Sequence, residues 1–275
     1  MGRLSVKLKA KKRHEIDRLV NFVELLNLGR SFHSIVDIGA GIGHLSRILS
    51  FSLPGCSIIA VEKENDVGFY MILLRVLSLL IEQNSSWLKN LYFLTRDFAF
   101  TISDQRALVI GLHSCGDLSS SILRLFVESQ NVVALILFGC CYHKLSVIDG
   151  EQNDFSEAFG FPLSSKYSEL CFSRCALDLA CHSNENYVMQ LLTKIANDDN
   201  ASTLISSVDD EWRRLLVVHC IRLLFAPIVE HVIIEDRVQF LRERGHSVFV
   251  VPLFDPKISP RNLAIVAFKN FCDDC

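Results

Sequence analysis

The chain has 275 residues, half of them apolar and 21% charged, with a net charge of −3 and a pI near 6.3. That balance suits one large globular core and excludes an overall field that would grip nucleic acid or an anionic membrane, so any basic surface must be local. Ten cysteines follow a basic opening, MGRLSVKLKAKKRHE, that lacks an apolar signal-peptide core; the expectation is reduced thiols in a cytoplasmic or nuclear protein.

Apolar residues Ile16, Leu19, Val20, Val23 and Leu26 recur at helical spacing, with Gly29 at the expected C-terminal cap. SIVDIGAGIGHLSRIL then reads as a strand that breaks into glycines and resumes as a helix. It is followed by CSIIAVEKE (strand), Asp66 to Gln83 (helix), NLYFLTRD (strand), ALVIGLHSCGD (strand), Leu118 to Glu128 (helix) and VVALILFGCCY (strand). Strands alternate with helices, and the strands are continuously apolar, as in a sheet covered on both faces. The run Tyr70 to Ile81 is interrupted by Arg75 and falls short of the roughly 20 residues of a bilayer span, so no membrane partner is expected.

From Lys144 to Trp212 the pattern weakens, with a helix expected over Tyr167 to His182; residues 144–212 read as an insertion within one domain of 1–275, and residues 1–30 as a basic arm and helix. Helical signal returns at Glu211 to Phe225 and Ile228 to Arg244, ending at Gly245. HSVFVVPLF and RNLAIVAFK then form a strand pair joined by DPKISP. The expected fold is α/β: a doubly wound, mainly parallel, Rossmann-like seven-stranded sheet whose last strand is antiparallel.

DIGAGIG places Asp37 at a strand end and glycines at 39, 41 and 43. Glycine admits positive φ and close approach of a ligand to the main chain, and the helix that follows offers unpaired N–H groups. A dinucleotide fingerprint requires a glycine where His44 stands, which argues against NAD. The spacing resembles the first motif of S-adenosylmethionine-dependent methyltransferases. Glu62, after the second strand, is then expected to accept from the ribose hydroxyls, and Asp97, after the third, from the adenine amino group.

LHSCGDLS and GCCYHKL follow the fourth and fifth strands and are expected to face the same crevice. The candidate catalytic residues are His113, Asp117, Cys140, Tyr142 and His143. His113 or His143 can act as a general base, with Asp117 orienting it. Cys115 and Cys140 resemble the paired cysteines of RNA 5-methylcytosine enzymes, although Ser114 stands where those carry proline. A zinc site drawing on Cys140, Cys141, His143, Cys171, Cys175, Cys181 or His182 lacks paired CxxC spacing, and the single CxxC, Cys272 to Cys275, supplies two ligands; no metal is expected. The bland alternative is that the vicinal cysteines fill space in the core.

DIGAGIGHLSR, VIGLHSCGDLS, GCCYHKL, FPLSS, APIVEHVIIEDR and PLFDPKISPRNLA together resemble the methyltransferase-like protein 25 family. The resemblance implies a class I methyltransferase fold with S-adenosylmethionine held at Asp37, Gly39, Gly41, Gly43, Glu62 and Asp97. A more distant likeness to tRNA 2′-O-methyltransferases puts RNA first among methyl acceptors and protein second. KLKAKKR, Lys7 to Arg13, has five basic residues in seven and is able to contact phosphates, or to form a solvated arm. His14 and Glu15 beside it either cover the cofactor or cap the helix. The rival reading is a cofactor-binding scaffold that acts through a partner protein.

Overall fold

A computed structural model describes residues 8–30, 32–62, 91–94, 106–146, 160–167, 220 and 224–270. Asp97, the helices expected over Asp66 to Gln83 and Tyr167 to His182, most of Glu211 to Phe225, and the cysteines at 171, 175, 181, 272 and 275 lie outside the described residues. The chain divides into two compact units, one of Met1–Ser114, Ser121–Cys140 and Phe240–Cys275, the other of Cys115–Ser120 and Cys141–Gln239.

The first unit carries the sheet. Its strands are β1 (Ser34–Ile38), β2 (Ser57–Val61), β3 (Leu91–Leu94), β4 (Ala107–Cys115), β5 (Val132–Cys140), β6 (Ser247–Pro252) and β7 (Leu263–Phe268), in the order β3-β2-β1-β4-β5-β7-β6. β1 pairs in parallel with β2 and β4, and β2 with β3, whereas β7 runs antiparallel to both β5 and β6. The seven strands and the reversed last strand expected from the sequence are therefore present. The central strands are apolar without alternation because both faces are covered: Ile35, Val36, Leu108, Val109 and every residue from Val132 to Phe138 are buried.

Helix α1 (Ala10–Arg30) buries the expected stripe of Ile16, Leu19, Val20 and Val23 in the core that contains Ile35, Ile58, Ile110 and Phe138. Gly29 is not the cap; the helix continues to Arg30, whose guanidinium lies 3.9 Å from the Phe268 ring centroid, and the side chain of Asn27 takes the Phe32 N–H at 2.7 Å. Phe254, after β6, stacks on Phe138 with centroids 4.5 Å apart. Helices α2 (His44–Ser52) and α3 (Asp117–Glu128) follow β1 and β4.

In the second unit, Tyr142, Leu145, Phe161, Val229 and Ile233 form a core of their own. Helix α4, residues 224–242, supplies Val229 and Ile233, and also the buried pair Asp236 and Arg237. No described helix is long and apolar enough to cross a membrane.

Candidate functional site: a glycine loop at the end of the central strand

Between β1 and α2 the chain turns through three left-handed glycines, Gly39 at φ 75°, Gly41 at φ 55° and Gly43 at φ 68°. Only residues without a Cβ take these angles at little cost, which is why the sequence spends glycine at alternate positions. The N–H groups of Gly39 and Ala40 donate to the Val61 carbonyl at 2.9 and 3.2 Å, so the loop is stitched to the end of β2. Glu62, the next residue, accepts the Gly41 N–H on Oε2 at 2.7 Å. A Cβ built at Gly41 meets nothing within 4 Å, so the loop borders open space there. A loop of left-handed glycines beside a carboxylate and an open volume fits a small ligand whose polar groups bond to main chain and to Glu62.

Asp37 lies beneath the loop, 2% exposed, with Oδ2 accepting the Ser46 hydroxyl at 2.5 Å. Burial pushes its carboxyl up to about 6, against the relief given by Ser46 and the charge of Lys12. His44, at the start of α2, accepts a hydrogen bond from Arg47 Nη2 on Nδ1 at 2.8 Å. Burial and the charges of Arg47 and Lys12 hold that imidazole down at about 4. Lys12 therefore brings the basic opening of α1 within electrostatic reach of the glycine loop.

His113 stands near the end of β4, three residues beyond the partner of Asp37 in the β1–β4 ladder. Its backbone is left-handed, at φ 65°, a conformation that strains a non-glycine residue. Its Nε2 lies 2.9 Å from Oε2 of Glu15. Cys140 ends β5 and is buried. In the second unit Asp117 opens α3 and takes the Ser146 N–H on Oδ1 at 2.8 Å. Cys141 has a left-handed backbone at φ 49° and leads into a short turn, Tyr142–Lys144, in which Tyr142 is buried and His143 half-buried.

Sequence reasoning did not find Glu15 as the partner of His113, nor Asp236 and Arg237 of the second unit. Arg237 is buried, donates from Nη2 to Ser119 Oγ at 2.7 Å, and lies 5.3 Å from the Tyr142 ring centroid. Asp236 holds the FPLSS segment through the N–H groups of Leu163 and Ser164 and the Ser164 hydroxyl. Ser119 of LHSCGDLS and Tyr142 of GCCYHKL thus meet Arg237, and Leu163 and Ser164 of FPLSS meet Asp236.

Strand order, the reversed β7 and the loop between β1 and α2 define a class I methyltransferase domain, a fold whose cofactor is S-adenosylmethionine. A family model described as methyltransferase domain matches residues 11–147. The Mus musculus protein named "Probable methyltransferase-like protein 25" is 26% identical over 60% of this chain and 38% of its own length, and the Homo sapiens protein of that name is 25% identical over 59% and 37%. The chain is similar to these methyltransferase-like proteins over that region, and spans less than two fifths of their length. Among solved structures, the methyltransferase domain of bacterial-CtHen1-CN is 13% identical, with a TM-score of 0.43, covering 94% of this chain and 99% of that one.

Proposed function

We propose that this chain binds S-adenosylmethionine and transfers its methyl group to RNA, a tRNA or an rRNA. The observation that carries the cofactor assignment is the loop of three left-handed glycines whose Gly41 N–H is bonded to Glu62. Asp37, Gly39, Gly41 and Gly43 would hold the amino-acid end of the cofactor, Glu62 its ribose and Asp97 its adenine. Bound there, the cofactor supplies an electrophilic methyl on a sulfonium.

The protein's own part is positioning. Glycine amides and Glu62 would fix the ligand across the strand ends, and His113, near the end of β4 in the same unit, would align the acceptor for in-line attack, its imidazole taking a proton where the acceptor carries one. RNA is favoured by the basic opening of α1. Lys9, just before the helix, and Lys11 and Arg13 within it are exposed, and Lys12 reaches Asp37 electrostatically, so a chain of negative net charge carries local positive charge, able to meet phosphates, on the helix that approaches the proposed cofactor loop.

Titration calorimetry with S-adenosylmethionine, with NAD and Asp37→Ala as controls, tests the cofactor. Saturable binding of S-adenosylmethionine alone, weakened in the variant, is expected. Tritiated methyl transfer to total RNA and to a protein fraction then tests the acceptor: label in protein alone moves the acceptor class, and no binding by the folded chain removes the reading.

A further inference from the structure

The carboxylate of Glu15 is buried inside the first turns of α1, where a charge is costly unless it is well paired. Its Oε2 meets His113 Nε2 at 2.9 Å and its Oε1 accepts the Ser259 hydroxyl at 2.7 Å, while Lys11, one turn earlier, lies 3.8 Å from Oε1. Burial pushes this carboxyl up, yet the bonds from His113 and Ser259 and the charges of His113 and Lys11 outweigh it and hold it below its ordinary value. Glu15 is therefore an anion near neutral pH and can only accept.

Two consequences follow for His113. The ring nitrogen that faces Glu15 must carry the proton, so in the neutral imidazole the lone pair resides on Nδ1. Nδ1 has no hydrogen-bond partner among the described residues, and the side chain is 39% exposed, which leaves that nitrogen uncommitted. The backbone of His113 is also held left-handed near the end of β4, a strain that surrounding structure must sustain. Residues 98 and 244 positions away from Glu15 supply this network, from a strand end and from the β6–β7 connection. A histidine that merely filled the core would need neither the buried anion nor a 39% exposed side chain.

We propose that Glu15 is a positioning residue that fixes His113 in the Nε2–H tautomer, making Nδ1 the general base of the methyl transfer. The inference rests on the methyltransferase reading given above. The acceptor atom, an O–H or N–H of the substrate, forms its bond to the methyl carbon as the carbon–sulfur bond of the sulfonium donor breaks. Sulfur keeps that electron pair, the acceptor proton passes to His113 Nδ1, and the imidazolium so formed is stabilised by the Glu15 anion. Ser259 keeps Glu15 from turning away by donating to its other oxygen.

The first test needs no activity. In the ¹⁵N-labelled full chain at alkaline pH, where imidazole is neutral, long-range proton–nitrogen spectra should show His113 with a protonated Nε2 and a bare Nδ1. A predominant Nδ1–H tautomer overturns the proposal. The second test uses tritiated S-adenosylmethionine with total RNA. Glu15→Gln and His113→Gln should each lower kcat by roughly 30-fold or more, leave KM within about threefold and bind S-adenosylmethionine as the wild type does. The double variant should be no worse than His113→Gln alone, because the two residues act as a unit. Glu15→Asp, which keeps the charge, should recover part of the rate. Transfer by Glu15→Gln at the wild-type rate, or losses that multiply in the double variant, overturn the inference alone. Failure of the wild-type chain to bind S-adenosylmethionine instead overturns the methyltransferase reading on which it stands.

Discussion

Ser46 donates its hydroxyl to Asp37 across 2.5 Å, in a place with almost no solvent. The bond ties the end of β1 to the first turn of α2 and so sets the angle of the glycine loop between them. It does not fully offset the cost of burying the carboxylate, whose proton is held to about pH 6 against an ordinary 3.8. Below the lower value Asp37 is protonated in folded and unfolded chains alike. Between the two values the unfolded chain ionises first, so stability falls as pH rises, and the loss is complete above about 6. That interval is worth about 3 kcal/mol. Asp37→Asn, always neutral and still able to accept from Ser46, should therefore gain on the wild type by about that much between pH 4 and pH 7.5. Urea unfolding of both proteins at the two pH values measures it. A difference that does not change with pH would show that the carboxylate is not desolvated in the native state.

Glu62 is the second carboxylate of the loop, and two of its possible substitutions differ in what they leave behind. Glu62→Gln retains an oxygen for the Gly41 N–H but loses the negative charge offered to a ribose. Glu62→Ala loses both. Hydrogen bonds to charged groups contribute about 1.5–3 kcal/mol, so S-adenosylmethionine affinity should drop roughly tenfold in the first variant and closer to a hundredfold in the second. Calorimetry gives the order directly, and equal affinities in all three proteins would remove Glu62 from the cofactor site.

What the sequence revealed and what it concealed divide along physical lines. β1, β4 and β5 were legible because a strand covered on both faces has to be continuously apolar, and the glycine loop because its positive φ angles admit few other residues. His113 and Cys141 have the same kind of backbone without being glycine, so nothing in their identity announced it. The partners of Glu15 lie 98 and 244 residues away, and a buried acid on an apolar helix face carries no local sign of what it will meet. Gly29 misled for the opposite reason: a cap glycine and a glycine in the last helical turn look alike until Arg30 and Asn27 find their contacts beyond it.

Gly111, within β4, shows a different use of glycine. A Cβ there would run into the Ser114 hydroxyl, and would sit 2.8 Å from Leu137 Cδ1 and 3.0 Å from Ile122 Cδ1. All three neighbours are buried, so little can give way. Gly111→Ala should cost about 1–3 kcal/mol through overpacking. Gly55→Ala, where nothing lies within 4 Å, should change stability by less than about 0.5 kcal/mol. Thermal and urea unfolding of the two variants side by side provide the check; equal effects would mean that β4 does not pack against α3 and β5 as closely as described.

Asp236 makes the sharpest prediction for the second unit. It is fully buried, and its two oxygens take the Leu163 N–H at 2.9 and 3.1 Å, while Oδ1 also takes the Ser164 N–H at 2.9 Å and the Ser164 hydroxyl at 2.7 Å. Burial pushes its carboxyl up, and these bonds together with the neighbouring Arg237 charge recover only part of that cost. Asp236→Ala would leave two main-chain donors without an acceptor and Arg237 without its adjacent anion, a combination that costs about 3–5 kcal/mol. Asp236→Asn preserves the shape and one acceptor and should cost roughly half as much. The most specific readout is amide exchange, since the Leu163 and Ser164 protons should lose protection in the alanine variant while the Val36 and Ile110 amides in the sheet of the first unit remain protected. Unchanged exchange at Leu163 and Ser164 would mean that Asp236 does not hold this segment, and the convergence of the EDR residues on the other motifs would lose its physical basis.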